Sequence, residues 1–318
     1  SPRPCVIVHG GIGAEYSATS VFAEMVTACR VSASLAYQKI LSGLSAVEAV
    51  EAALWWLEND EFFNCGYGSI VNNEGFVEMD ACMMNGTTNE CGSVVAIRDV
   101  EHPISVARYV MKKFPNTIVA GEGAKRLARS AGINSVARES MIHAFYPFEF
   151  AYRTKPLIEK SINLGIGGSL GAVGCVAWDG RTIVVGTSSG GSRGKMVGRA
   201  GDSSLMGCGT FADRYSGCSV TGHGESIIKM GLARSIVEEC SIRNCSPRKC
   251  LKNHLDEFTD RWGKTAGGVV LRVDGSWGAY NSTGNPLSYA VVKNRRINFA
   301  SDEVVEGLVL KNYRNNKK

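Results

Sequence analysis

The chain has 318 residues, 44% hydrophobic and 20% charged, a balance that fits a soluble globular protein with a full-sized core and excludes a disordered, coiled-coil or collagen-like chain. Its formal charge of +5 looks basic, but Lys311, Arg314, Lys317 and Lys318 at the C-terminal end supply most of it, so the body carries no electrostatic footprint for nucleic acid. Glycine is abundant, 37 of 318 residues against a typical ~7%, which implies many tight turns and close backbone approaches.

Cys5 to His9 is a short β-branched run ending in Gly10-Gly11, and the stretch from Val21 to Leu41 has helical spacing. Ser45 and Glu48 form a capping box that opens a second helix through Leu57. Tyr67 to Val71 and Phe76 to Met84, joined by Asn72-Asn73-Glu74-Gly75, predict a β-hairpin, and Gly92 to Ile97 a further strand. A helix is expected over Ile104 to Phe114, after which periodicity fades, and about 132–171 reads as a long exposed connection. Two strands follow, Ala172 to Trp178 and Thr182 to Thr187, turning at Asp179-Gly180-Arg181, and then a glycine-rich segment from Ser188 to Gly209. Thr221-Gly-His-Gly-Glu225 leads into a helix reaching Glu239, another helix covers Pro247 to Trp262, and three strands lie near Gly268 to Val273, Ser276 to Asn281 and Ser288 to Val292. Lys311 to Lys318 reads as a solvated end.

Several motifs fail on chemistry. Gly165-Ile-Gly167-Gly-Ser-Leu-Gly171 has Leu170 where a dinucleotide loop needs its third glycine, and a strand follows instead of a helix. Gly190 to Lys195 is one residue short of a phosphate loop and continues with Met196 in place of the hydroxyl that binds magnesium. Gly186-Thr-Ser188-Ser-Gly190 fits a nucleophile elbow, which would make Ser188 an acyl-transfer nucleophile, yet Gly191-Ser-Arg-Gly194 is a poor helix start. The five histidines contain no HExxH, and the eleven cysteines show no CxxC or zinc spacing, although Cys240, Cys245 and Cys250 step by five. Scattered reduced thiols of a cytoplasmic protein are expected, with no membrane partner, because no apolar run reaches the ~18 residues of a bilayer span. Ser1-Pro-Arg-Pro has no signal-peptide pattern, and the lack of an initiator methionine suggests a trimmed chain.

Seven segments in order resemble the plant-type asparaginase and isoaspartyl peptidase family, the Thr-nucleophile relatives of glycosylasparaginase and taspase. They are His9-Gly10-Gly11, Leu57 to Gly68, Val77-Glu-Met-Asp-Ala-Cys-Met-Met84, Gly171-Ala-Val-Gly-Cys-Val-Ala-Trp-Asp179, Thr187-Ser-Ser-Gly-Gly191, Gly198-Arg-Ala-Gly-Asp-Ser203 and Thr221-Gly-His-Gly-Glu225. The resemblance implies an α+β fold, the four-layer αββα sandwich of the N-terminal nucleophile hydrolases, as one domain over residues 1–318 and usually a homodimer. It implies an α-subunit over 1–171 and a β-subunit over 172–318 after self-cleavage between Gly171 and residue 172. The implied substrate is L-asparagine or a β-aspartyl dipeptide, a free amino acid head bearing a side-chain amide.

Such a head needs a cation for its α-carboxylate and an anion for its α-ammonium, and Arg199 and Asp202 match the family's pair. Thr221 with the Gly222 N–H resembles the oxyanion hole, and Gly222 and Gly224 the glycines that let backbone approach the substrate. Ser189 falls where the family has a hydroxyl beside the nucleophile. No organic cofactor is implied. Leu57, Glu58 and Phe63 resemble a loop that holds a structural sodium ion through main-chain carbonyls.

One position departs. Where the family has the threonine that cuts the chain and then serves as nucleophile, with its freed amine as base, this chain has Ala172, fixed in register by Asp179 seven residues on. Alanine has no hydroxyl, so neither step can occur there. Ser169 is a poor substitute, three residues and so about 10 Å from the strand end, and Cys175 is expected in the core. Two accounts stand: a precursor held by a Thr→Ala exchange, or a natural relative that lost its nucleophile and kept the fold, binding an aspartyl ligand or a protein partner. The otherwise intact set of Ser189, Arg199, Asp202, Thr221 and Gly222 favours the first. Glycosylasparaginase-like or taspase-like specificity is the further alternative.

Overall fold

The computed structural model describes residues 3–12, 19–141, 171–242, 245–283 and 286–300. Ser169, most of the expected linker and Lys311 to Lys318 lie outside them.

The first half lays down β1 (Cys5–Ile12), α1 (Thr19–Leu41), α2 (Ala46–Glu58), β2 (Met79–Asn85), β3 (Cys91–Ile97), α3 (Pro103–Lys113), β4 (Ile118–Ala120), α4 (Gly121–Ser130) and the single turn α5 (Arg138–Met141). The second half gives β5 (Val173–Trp178), β6 (Ile183–Ser189), β7 (Thr210–Ala212), β8 (Ser216–Gly222), α6 (Gly224–Met230), α7 (Leu232–Ile242), α8 (Pro247–Trp262), β9 (Ala266–Arg272), β10 (Trp277–Asn281), β11 (Leu287–Lys293) and β12 (Arg296–Phe299). An eight-stranded sheet runs β12-β11-β1-β5-β6-β2-β3-β4, antiparallel except for β3 beside β4, and an antiparallel four-stranded sheet runs β10-β9-β8-β7.

Side-chain alternation turns these sheets into layers. Val173, Cys175 and Ala177 of β5 join Val184 of β6 under the first helices, whereas Val176, Trp178, Ile183 and Val185 face Val269 and Leu271 of the small sheet. Cys218 and Val220 of β8 point the other way, onto Leu232, Ile236, Leu251 and Phe258 of α7 and α8. Three apolar cores therefore separate four layers, helix, sheet, sheet and helix, which is the αββα sandwich. β5 and β6 are buried on both faces, so they read as continuous apolar runs.

The capping box forms, with the Ser45 N–H donating to Glu48 Oε2 at 2.7 Å. The expected hairpin from Tyr67 to Met84 does not form. Val71 and Val77 make one isolated bridge, Gly66–Gly68 is a 3-10 turn, and β2 pairs with β3 and β6 instead. The reason is local: Asn72 Oδ1 accepts the N–H groups of Glu74 and Phe76 and curls the segment before a ladder can grow. The single helix expected after the Thr221 to Glu225 motif and reaching Glu239 is also different: Gly231, at φ 59°, breaks it into α6 and α7. Residues 132–141 of the expected open connection fold onto the body, where the Val136 N–H donates to Asp99 O at 3.0 Å and Met141 is buried.

Candidate active site

The inner faces of β5, β6 and β8 meet at the end of the sandwich where β5 begins. The register Val173↔Ser188 and Gly174↔Thr187 ends one residue short of Ala172, and continuing it would set Ala172 opposite Ser189. Ala172 is buried at 6% exposure, and Gly171 before it lies against β8: a Cβ there would sit 2.0 Å from Thr221 Oγ1. Only glycine fits that approach, and the Thr221 hydroxyl is buried with no hydrogen-bond partner. Ser189 Oγ accepts the Gly191 N–H at 3.0 Å and shapes the turn leaving β6. Gly222 has φ 140° and packs on the Thr265 carbonyl, a conformation that rotates the peptide following Thr221.

Arg199 and Asp202 converge on Gly224. A Cβ on that glycine would lie 2.6 Å from Arg199 Nη2 and 2.8 Å from Asp202 Oδ1, so the missing side chain leaves the space between guanidinium and carboxylate open. The two groups do not close on each other. Arg199 turns its fork onto Glu225, with Nε to Oε1 at 2.9 Å and Nη2 to Oε2 at 3.1 Å. Asp202 is left with a buried Oδ2 that has no partner, and burial pushes its carboxyl up to about 7 against the pull of Arg199.

Behind these groups runs a buried polar chain. His9 Nδ1 accepts the Gly11 N–H at 3.2 Å, and burial drives its imidazole down to about 3, so it is neutral. Nε2–H then donates to Ser219 Oγ at 2.8 Å, and Ser219 in turn meets Thr187 Oγ1 at 2.7 Å. This chain crosses directly over Gly174, two residues beyond Ala172. It ties β1, β8 and β6 together around the start of β5.

The elbow reading of Ser188 is corrected by the same alternation. Its side chain leaves the opposite face of β6, is wholly buried, and donates to Glu58 Oε1 at 2.7 Å beneath α2. Glu58 also accepts the Ile104 N–H at 3.1 Å and contacts His102 Nδ1 at 3.0 Å. Burial raises its carboxyl, against those three partners, which favour the charged form. In the loop after α2, the Leu57 carbonyl accepts the Asp60 N–H and the Cys65 thiol, and the Phe63 carbonyl accepts the Cys65 N–H. The carbonyl oxygens of Glu61 and Phe63 both approach Gly68, and that of Glu58 approaches Gly66.

Sequence reasoning missed three supports. Asn64 donates Nδ2 to the Gly191 carbonyl at 2.7 Å and accepts the Gly190 N–H on its own carbonyl at 2.8 Å, holding the turn after Ser189. Buried Lys195 donates to the carbonyls of Glu78 and Gly190, a role hidden behind its likeness to a phosphate-loop lysine. Asp80 accepts Ala96 N–H at 2.9 Å and Gly201 N–H at 2.8 Å, fixing the loop that carries Arg199 and Asp202. Asn64 and Asp80 lie inside the matched segments, so their positions were signalled, but their partners are 16 to 127 residues distant and carry no local pattern.

Comparison with known proteins agrees with this geometry. The family model described as asparaginase matches residues 2–300. The chain is 36% identical over 301 residues to an isoaspartyl peptidase/L-asparaginase of Xenopus laevis, covering 93% of this chain and 94% of that protein. Its identity to the mouse protein of the same name is 37% over 306 residues, covering 93% and 90%, and to the human one 35% over 312 residues, covering 94% and 96%. No helix among the described residues is long and apolar enough to cross a membrane. The matches over nearly the whole chain, together with the αββα layering, place it in the asparaginase family of N-terminal nucleophile hydrolases.

Proposed function

We propose that this chain is the uncleaved, catalytically silent form of a hydrolase for L-asparagine and β-aspartyl dipeptides. The observation that carries the reading is local: the hydroxyl is absent at Ala172, which follows a glycine packed on Thr221, while Arg199 and Asp202 flank Gly224, three residues beyond Thr221. With a hydroxyl at 172, its oxygen would attack the Gly171 carbonyl carbon, the peptide nitrogen would leave as the amine of residue 172, and water would release the resulting ester. The exposed hydroxyl would then attack a substrate side-chain amide. Ammonia or an amino acid would leave, water would free aspartate from the acyl-enzyme, and the Thr221 hydroxyl and Gly222 N–H would carry the oxyanion.

Arg199 would take the α-carboxylate, in competition with Glu225, and Asp202 the α-ammonium. The carbonyls of the loop that begins at Leu57 and Glu58 and includes Phe63 would hold a sodium ion, which would supply structural stiffness beside Asn64 and the turn after Ser189. The reading includes a homodimer and a reducing, cytoplasmic location.

Restoring the hydroxyl with Ala172→Thr and following intact mass at neutral pH tests the proposal. Splitting after Gly171, with amidase activity appearing alongside, is the expected result. Turnover of L-asparagine by the Ala172 chain itself would overturn it. A second reading, an aspartyl-binding protein without chemistry, is favoured by the buried Asp202 oxygen that has no partner. An Ala172→Thr chain that stays uncut, together with calorimetric binding of L-aspartate to the unaltered chain, would move that reading into first place.

A further inference from the structure

The cysteines that step by five along the sequence come together in the core between the four-stranded sheet and the helices α7 and α8. Cys240 lies near the end of α7, Cys245 in the connection after it, and Cys250 in the first turns of α8. Cys240 and Cys250 are buried in the same apolar core, and Cys245 packs against it. Glu239 joins them: its carboxylate oxygen and the Cys245 and Cys250 sulfurs all lie within 4.8 Å of one another. Cys240 and Cys250 are buried and Cys245 is partly exposed, so the cluster is closed on the core side and open at one edge.

A core of apolar thiols would need no carboxylate, and here the carboxylate is oriented. His254 Nε2 contacts Glu239 Oε2 at 2.6 Å from one turn beyond Cys250 on α8. That is the arrangement in which an imidazole fixes a ligating carboxylate from outside. The backbone is fixed too, by Arg272 Nη1 on the Cys245 carbonyl at 3.3 Å and by the Ser246 cap on the Lys249 N–H at 3.3 Å.

We propose that Glu239, Cys245 and Cys250 form a zinc site that staples the connection between α7 and α8, with water as the fourth ligand. Two sulfurs and one oxygen exclude magnesium and calcium and suit a borderline-soft, tetrahedral ion. Bonds of ~2.3 Å to sulfur and ~2.1 Å to oxygen put tetrahedral ligand atoms about 3.6–3.8 Å apart, a contraction of roughly 1 Å at most from the observed spread. On binding, each thiol releases its proton to solvent and the two thiolates and the carboxylate coordinate the ion; nothing is oxidised. This site is independent of the reading at Ala172, because no residue is shared.

The test uses the full chain, stripped with a chelator and kept reduced with a phosphine. Titration with Co2+ is expected to produce a thiolate-to-cobalt charge-transfer band and the visible bands of tetrahedral cobalt, saturating at one equivalent and bleached by Zn2+. Cys245→Ser, at a partly exposed position that leaves the fold intact by circular dichroism, is expected to lose them, as is Cys250→Ala. Cys91→Ser, which removes one thiol of the Cys82–Cys91 pair on the eight-stranded sheet, is expected to keep them. Zn2+ should raise the melting temperature of the parent and not of Cys245→Ser. Absent bands in the reduced parent, or bands surviving in Cys245→Ser, would overturn the proposal, as would a Cys245–Cys250 disulfide whose reduction restores no metal binding.

Discussion

Asp202 offers the sharpest quantitative test, because its burial is required by the proposed binding role and costs the fold stability. Its carboxyl rises from 3.8 to about 7, with burial the largest cause and Arg199 opposing it. For a group whose folded pKa is raised, the native state binds the extra proton, so stability falls as pH rises from the unfolded value near 3.8 to the folded value near 7. Above that window the whole penalty is present; below it, none is. A shift of about three units corresponds to roughly 4 kcal/mol, of which about 2–3 kcal/mol develops between pH 5 and pH 8.

Asp202→Asn keeps the shape and removes the charge. The variant should therefore be more stable than the parent at pH 8 by a few kcal/mol, read as a rise of several degrees in melting temperature, with a much smaller gain at pH 5. The same variant should fail to bind L-aspartate. Glu58 and Asp80 are also raised by burial, so the comparison is made between variant and parent at each pH, where their contributions cancel. Equal stabilisation at both pH values would show that packing and not charge is responsible. No stabilisation at pH 8 would refute the account of Asp202 as an unpartnered buried carboxylate.

Three more outcomes follow from named contacts. Glu225→Gln releases one charged partner of the Arg199 fork, and because Glu225 is half exposed the freed guanidinium should bind L-aspartate only several-fold more tightly by calorimetry. Glu58→Gln places an amide donor among Ser188, His102 and the Ile104 N–H; the unsatisfied contact should cost roughly 2–4 kcal/mol in denaturant unfolding, and a neutral result would mean the carboxyl is protonated. Gly174→Ala would set a methyl 2.0 Å from Ser219 Oγ and 2.5 Å from His9 Nε2, breaking the buried chain and lowering stability by about 1–3 kcal/mol; an unshifted melting curve would contradict that packing.

Much of this molecule was legible in its sequence. The capping box at Ser45, the helix Pro247 to Trp262 and the paired runs of β5 and β6 are set by local periodicity and turn chemistry, so they stand as the sequence implied. The order of matched segments likewise gave the αββα layering and the identity of Ala172, since a missing hydroxyl is a property of composition at one position and needs no coordinates. The Tyr67 to Met84 hairpin failed because the Asn72 side chain competes with the ladder, a contest periodicity does not register. Tertiary structure alone decided the rest. Which face of β6 carries each hydroxyl separates Ser189 at the site from Ser188 on Glu58, and that depends on which sheet packs where. The capture of Arg199 by Glu225, the unpartnered oxygen of Asp202 and the gathering of Glu239, Cys245 and Cys250 arise because burial and charge pairing act between groups brought together by folding, where no sequence pattern records them.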